Sequence, residues 1–165
     1  DLRVKVEFTH VLHGLLKADP RGLFFGDGTL VTNVVAGVST EPDGTVVLFE
    51  SLEMGAVTLV EAATEGYIEI EGTPDVVLEI VSPSSTRKDT VVLRKLYWEG
   101  GIPEYWLVDV RGERLQFDIL RRGRQGYTAA RKKGGWVKSS VLGHPFRLTC
   151  QSDPTGNPEY TLEVD

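Results

Sequence analysis

The stretch from Pro74 to Asp109 limits the folds open to this chain more than any other. It begins with PDVVLEIVS, an apolar, β-branched run whose composition suits a strand buried on both faces. PSSTRKDTVVLRKLYWEGG follows, in which Val92, Leu93, Leu96 and Tyr97 recur at helical spacing. Thr86 with Asp89 three residues later reads as a capping box, and Gly100, Gly101 and Pro103 stop the helix. IPEYWLVD then returns to strand composition. Strand, helix, strand within this length predicts a right-handed βαβ crossover with parallel strands.

Glu79 does not belong in such a unit on packing grounds. Strand alternation sets Asp75, Val77, Glu79 and Val81 on one face and Val76, Leu78 and Ile80 on the other. An ionised carboxylate in a buried strand needs a cation, a metal ion or strong donors. A structural salt bridge and a metal site are both open at this point. Asp75 shares the face, but four residues of strand put it about 13 Å away. A second ligand must therefore come from another part of the chain.

Before this unit, Val4, Phe8, Val11, Leu12 and Leu15 predict an amphipathic helix over Arg3 to Lys17, stopped by Asp19, Pro20 and Gly22. Glu7 sits beside the apolar stripe, where a solvent-facing pairing with Arg3 or Lys5 is the ordinary expectation. His10 and His13 lack a third ligand and read as structural. LFF, TLVTNVVAGVST, TVVLFE and AVTLV have strand composition, and residues 66–72 alternate as a half-exposed strand. Asp43 falls in a Pro-Asp-Gly turn, where a turn-forming hydrogen bond to the backbone is the plain alternative to a ligand role. After Asp109, alternation at Leu115, Phe117 and Ile119 and later at Phe146, Leu148, Tyr160 and Leu162 predicts antiparallel hairpins completing a mixed sheet. At 165 residues without a linker or repeat, one domain over 1–165 is expected.

Charge is unevenly spread. Between Arg111 and Lys138 nine basic residues face only Glu113 and Asp118, a net +7 that leaves −13 for the rest of a chain of net −6. Such a segment either tracks phosphates or protects an exposed hairpin edge. The single cysteine, Cys150, excludes an intrachain disulfide and fits a reducing cytoplasm. Neither a long apolar span nor a secretory signal is present, so no membrane partner is expected.

Asp43 in a turn leading into a strand, Glu79 buried in a strand and lysines on the following helix form a chemically coherent set. Phosphodiester hydrolysis calls for a divalent cation to activate water and neutralise charge. Hard Mg²⁺ takes carboxylate and water oxygens, and a nearby lysine adds charge at the phosphate. STEPDG, GTPDVVLEIVSPSSTRKDT and IPEYWLVD together resemble the Uma-type (Uma-two) putative restriction endonuclease family, a branch of the PD-(D/E)XK superfamily. The resemblance extends over nearly the whole chain. It implies a restriction-endonuclease-like α/β fold: a mixed sheet with an N-terminal helix, the βαβ crossover and added antiparallel hairpins.

By that resemblance Asp43 and Glu79 are the metal ligands, for Mg²⁺ or Mn²⁺. The XK position two residues after Glu79 is Val81, a departure that moves the expected catalytic lysine to the following helix. Lys88 and Lys95, seven apart, would share one side of that helix, with Lys88 preferred; Leu93 stands where the family often has lysine. Glu7 resembles the accessory acid that some members carry on their first helix. Ser84 and Ser85 lie where a strand meets a helix N-terminus, so with Arg87 and Lys88 they are the expected nucleic-acid contacts, although capping alone also explains the serines. The implied activity is Mg²⁺-dependent cleavage of nucleic acid, DNA above all, by a cytoplasmic homodimer. An inactive nucleic-acid-binding or regulatory protein and a phosphoesterase acting on small nucleotides are the alternatives.

Overall fold

The structure, a computed structural model, describes residues 1–61, 63–64, 66 and 68–165. Helix α1 (Leu2–Ala18) starts at Asp1, whose carboxylate accepts from the Arg3 N–H at 2.8 Å. Apolar residues every fourth position, Val4, Phe8, Leu12 and Leu16, bury its inner stripe. Strands β1 (Gly22–Phe25), β2 (Val31–Asn33), β3 (Val38–Thr40) and β4 (Gly44–Leu48) follow, then helix α2 (Phe49–Glu53) and strands β5 (Val57–Glu61) and β6 (Ile68–Gly72). The segment TLVTNVVAGVST, expected as one strand, is split between β2 and β3. Asn33 turns the chain by accepting from the Ala36 N–H, and Val34 and Val35 at the tip are fully exposed. The strand expected over 66–72 is present as β6, while Tyr67 lies outside the described residues.

The crossover is present as read. Strand β7 (Val76–Ile80) runs parallel to β8 (Glu104–Asp109), with Val76 opposite Glu104 and Ile80 opposite Val108. The helix between them departs from expectation. It opens with a wide π-helical turn, Lys88–Val92, before the regular α3 (Leu93–Glu99). That extra residue in the turn shifts the helix phase, so Leu93 and Tyr97 are buried while Val92 is swung to the surface. Thr86 is already helical and is not the cap. The chain enters the helix through a turn over 83–85 in which the Ser82 N–H donates to Ser85 Oγ at 2.9 Å.

Strands β9 (Gln116–Arg122), β10 (Tyr127–Ala129), β11 (Lys132–Lys133), β12 (Trp136–Lys138), β13 (Pro145–Ser152) and β14 (Pro158–Val164) complete the chain. The mixed sheet expected from the sequence is three sheets. A six-stranded central sheet has the order β1-β4-β7-β8-β9-β10, flanked by β3-β2-β6-β5 and β11-β12-β13-β14. The C-terminal hairpin separates because Phe146, Leu148 and Leu162 pack with α1 and one face of the central sheet. Trp106 is the hub there, 4.9 Å from the Phe146 ring and 5.5 Å from Phe117. The other face is covered by α3, whose Leu93 and Tyr97 pack with Val77, Val81 and Tyr105 of the sheet. Two differently filled faces on β7 decide where its odd and even residues go.

Candidate metal centre

Alternation along β7 sends Val76, Leu78 and Ile80 toward α1 and Val77 and Val81 toward α3. Glu79 therefore projects to the α3 side and is 5% exposed. Strand β4 pairs antiparallel with β7, Gly44 opposite Leu78. Asp43 immediately precedes β4, at the end of that ladder where β7 carries Glu79 and Ile80. Asp43 Oδ2 accepts from the Ile80 N–H at 2.6 Å, so the side chain itself continues the ladder. Gly44 permits the close approach, since a Cβ there would meet the Phe24 ring at 3.0 Å and Leu78 at 3.2 Å.

Glu79 has little to support its charge. Its Oε1 accepts from the Tyr97 hydroxyl at 2.8 Å, and that oxygen in turn lies 3.0 Å from Thr40 Oγ1. Burial pushes the Glu79 carboxyl up to about 8; Tyr97 opposes this, the Asp43 and Asp89 charges add to it, and Lys88 offsets part. Burial and the same carboxylate raise the Tyr97 phenol, which keeps it a donor. A carboxyl held near neutrality beside a second carboxylate is the electrostatic pattern of a site awaiting a cation.

Two side chains here escaped the sequence reading. Lys5 reaches across from α1 and places its ammonium 3.0 Å from Asp43 Oδ1 and 3.1 Å from Asp27. Burial pulls that amine down, but the bonds to Asp43 and Asp27 outweigh it and the net shift is upward. Asp89 on the π-helical turn is 1% exposed. Ser85 Oγ donates to its Oδ2 at 2.5 Å and Tyr105 OH to its backbone carbonyl at 2.5 Å, while Oδ1 has no hydrogen-bond partner among the described residues. Burial raises its carboxyl; Ser85 and Lys88 counteract, and Asp43 reinforces the rise. Nothing in the sequence signals the reach of Lys5, whereas Asp89 was visible but masked by the capping-box spacing.

Of the expected residues, Asp43 and Glu79 are brought together and Lys88 lies close enough for its charge to act on Glu79 and Asp89. Lys95 is not. Its side chain is 79% exposed and pairs with Glu99 at 3.8 Å, because the π-helical turn removes the common side that a regular helix would give it with Lys88. Glu7 is not brought to the pair either: its Oε2 accepts from the Leu162 N–H at 2.8 Å, tying α1 to β14, rather than meeting Arg3 or Lys5. Arg87 and Ser84 are exposed beside Lys88, and Ser85 is occupied with Asp89. Asp75 accepts from the Leu48 N–H and Ser51 Oγ, holding the start of α2. Val81 is 1% exposed inside the α3-facing core, so the XK position is closed to a lysine by packing.

Among the described residues no three His, Cys, Asp or Glu side chains converge to hold one ion directly. Two carboxylates with hard oxygen donors still fit Mg²⁺, which binds through one or two carboxylates and keeps several waters. A helix covering one face of a mixed sheet, a βαβ crossover and an acidic pair at adjacent strands define a restriction-endonuclease-like fold. Residues 2–151 match the family model described as "Uma2: Putative restriction endonuclease", and the chain belongs to that family. A crystal structure of a putative nuclease belonging to DUF820 from Anabaena variabilis ATCC 29413 superposes with a TM-score of 0.60 at 18% identity, covering 86% of this chain and 72% of that one. That likeness bears on the fold. No curated protein matches the chain.

Proposed function

We propose that this protein is a Mg²⁺-dependent endonuclease that hydrolyses phosphodiester bonds in DNA, with Asp43 and Glu79 as the residues that would hold Mg²⁺ or Mn²⁺. The observation that carries it is the Asp43 carboxylate accepting from the Ile80 N–H next to Glu79, whose buried carboxyl is pushed up to about 8. Bound there, the ion supplies positive charge to the phosphate and a water of lowered pKa. The chain's own residues do the rest. Tyr97 orients Glu79 by donating to Oε1, and the Ile80 N–H fixes Asp43. Lys88, exposed at the rim, stands in for the lysine absent at Val81 and adds charge beside the scissile phosphate. Arg87 and Ser84 extend that rim as backbone contacts for the nucleic acid.

A homodimer would bring two such sites to the two strands of a duplex, and the lone exposed Cys150 suits a reducing cytoplasm. No helix among the described residues is long and apolar enough to cross a membrane. A nicking assay on supercoiled plasmid, with Mg²⁺ against chelator, tests the reading; cleavage in the parent that disappears in Asp43→Asn and Glu79→Gln is the expected result. Buried Val81 favours a second reading, an inactive nucleic-acid binder. Retarded DNA mobility without nicking under any divalent ion would decide for it.

A further inference from the structure

Asp89 is the buried acid that the proposed chemistry leaves unused. Its residue is 1% exposed, one carboxylate oxygen is hooked by Ser85 and the other has no hydrogen-bond partner among the described residues. An unmade hydrogen bond on a buried acceptor is destabilising, and more so for a charged group. A cap role accounts for Oδ2 only. Arg111, the nearby cation, is not the missing partner, being taken by Asp109 at 2.7 and 2.9 Å and by Thr86 at 2.5 Å. What joins Asp89 to the acidic pair is a chain of contacts on the α3 side of the sheet: Tyr97, the donor to Glu79, packs edge-on at 5.3 Å against Tyr105, the donor to the Asp89 carbonyl. Its position is fixed from both ends: Tyr105 grips its carbonyl and Ser85 its carboxylate, on a π-helical turn, a distortion found often at functional sites.

Asp43, Glu79 and Asp89 do not converge tightly enough to ligate one ion together. We infer that Asp89 is an outer ligand of the cation assigned to Asp43 and Glu79, its free oxygen accepting a hydrogen bond from a water on that cation. The inference rests on the metal reading above. Outer partners of this kind orient the inner shell, and their loss costs about 10–100-fold in metal affinity. Asp89→Asn is the informative change. Ser85 must donate to the amide oxygen, which leaves the NH₂ group where an acceptor is required.

Isothermal titration of Mn²⁺ into the parent, Glu79→Gln and Asp89→Asn proteins, with melts of each metal-free protein, separates the possibilities. Binding in the parent, its loss in Glu79→Gln and a dissociation constant about 10–100-fold weaker in Asp89→Asn are expected. The metal-free Asp89→Asn protein should melt no lower than the parent, because a buried, incompletely bonded charge has gone. Parental affinity in folded Asp89→Asn, with binding lost in Glu79→Gln, overturns the inference and leaves the metal reading standing. No Mn²⁺ binding by the parent removes both. If Asp89→Asn does not fold, Ser85→Ala keeps every acid and only unhooks Asp89. A smaller loss, below about tenfold, is then expected, and parental affinity overturns the role.

Discussion

Glu79 and Glu104 lie on neighbouring parallel strands, 5% and 1% exposed, and the protein treats them in opposite ways. Glu104 is saturated. Trp106 Nε1 at 3.0 Å and Ser139 Oγ at 2.7 Å donate to one oxygen, and the Ser140 and Val141 N–H groups at 2.7 and 3.0 Å to the other. Glu79 receives one phenol and is flanked by acids. Burial alone therefore does not mark a functional carboxylate; the number and sign of its partners does. Glu104 ties residues 139–141 to the central sheet, whereas Glu79 is held in place at a cost to the metal-free protein.

Replacing each in turn exposes the difference most strongly. Glu104→Ala strands three backbone or side-chain N–H donors and one hydroxyl, each worth about 1–3 kcal/mol and not fully additive, so urea unfolding should show a loss of at least about 3 kcal/mol. Glu79→Gln should leave the metal-free protein as stable or more so. A comparable loss in both variants would erase the contrast and return Glu79 to a structural role.

The next effect is a pH slope carried by Glu79 and absent at Glu104→Ala's site of damage. The folded protein holds the Glu79 proton up to about 8 against an ordinary value of 4.5. Stability from this group is thus complete below 4.5 and is lost as pH rises through about 8, at about 1.4 kcal/mol per pH unit between. Subtracting the Glu79→Gln profile from that of the parent cancels other groups, and a difference flat across pH 5–8 would contradict the assignment. Added Mg²⁺ competes with that proton, so it should raise the melting temperature more at pH 8 than at pH 6.

The same contrast explains what could be read in advance. Strand period and β-branched composition gave the 74–109 crossover and the face carrying Glu79, since both are local. Asp43 was singled out through its turn and the family motif, although the contact that brings it to β7 is tertiary. Lys5 was not legible, because its reach depends on how α1 crosses the end of β4. Lys95 was misplaced because the π-helical turn shifts the helix phase, which no helix-period count anticipates, and Asp89 was passed over because its spacing from Thr86 reads as a cap. Glu104 stood inside a motif, but three of its four donors are 35 to 37 residues further on.

Lysines sharpen the comparison at the rim. Lys88→Met removes the cation that acts on Glu79, and single-turnover cleavage should slow by about tenfold or more without loss of fold. Lys95→Met removes only an exposed pairing with Glu99, so turnover should be unchanged and stability should move by less than about 0.5 kcal/mol. Equal slowing in both would mean that the rim acts through net charge rather than through position.

Lys5 should give the smallest effect, and its sign is informative. The Lys5 amine bonds to Asp43 Oδ1, so without a metal it neutralises part of the charge that a divalent ion would meet. An ion and an ammonium on the same carboxylate repel, which makes them competitors for Asp43. Lys5→Met keeps the stem packed on α1 and removes only the charge. Because this pairing is partly exposed, the metal-free protein should lose no more than about 1 kcal/mol. Mn²⁺ should bind a few-fold tighter, because a competing cation has gone from Asp43. A few-fold weakening instead would mean that Lys5 holds Asp43 in the ligating pose, and that Asp43, like Glu104, depends on its donors more than it repels them.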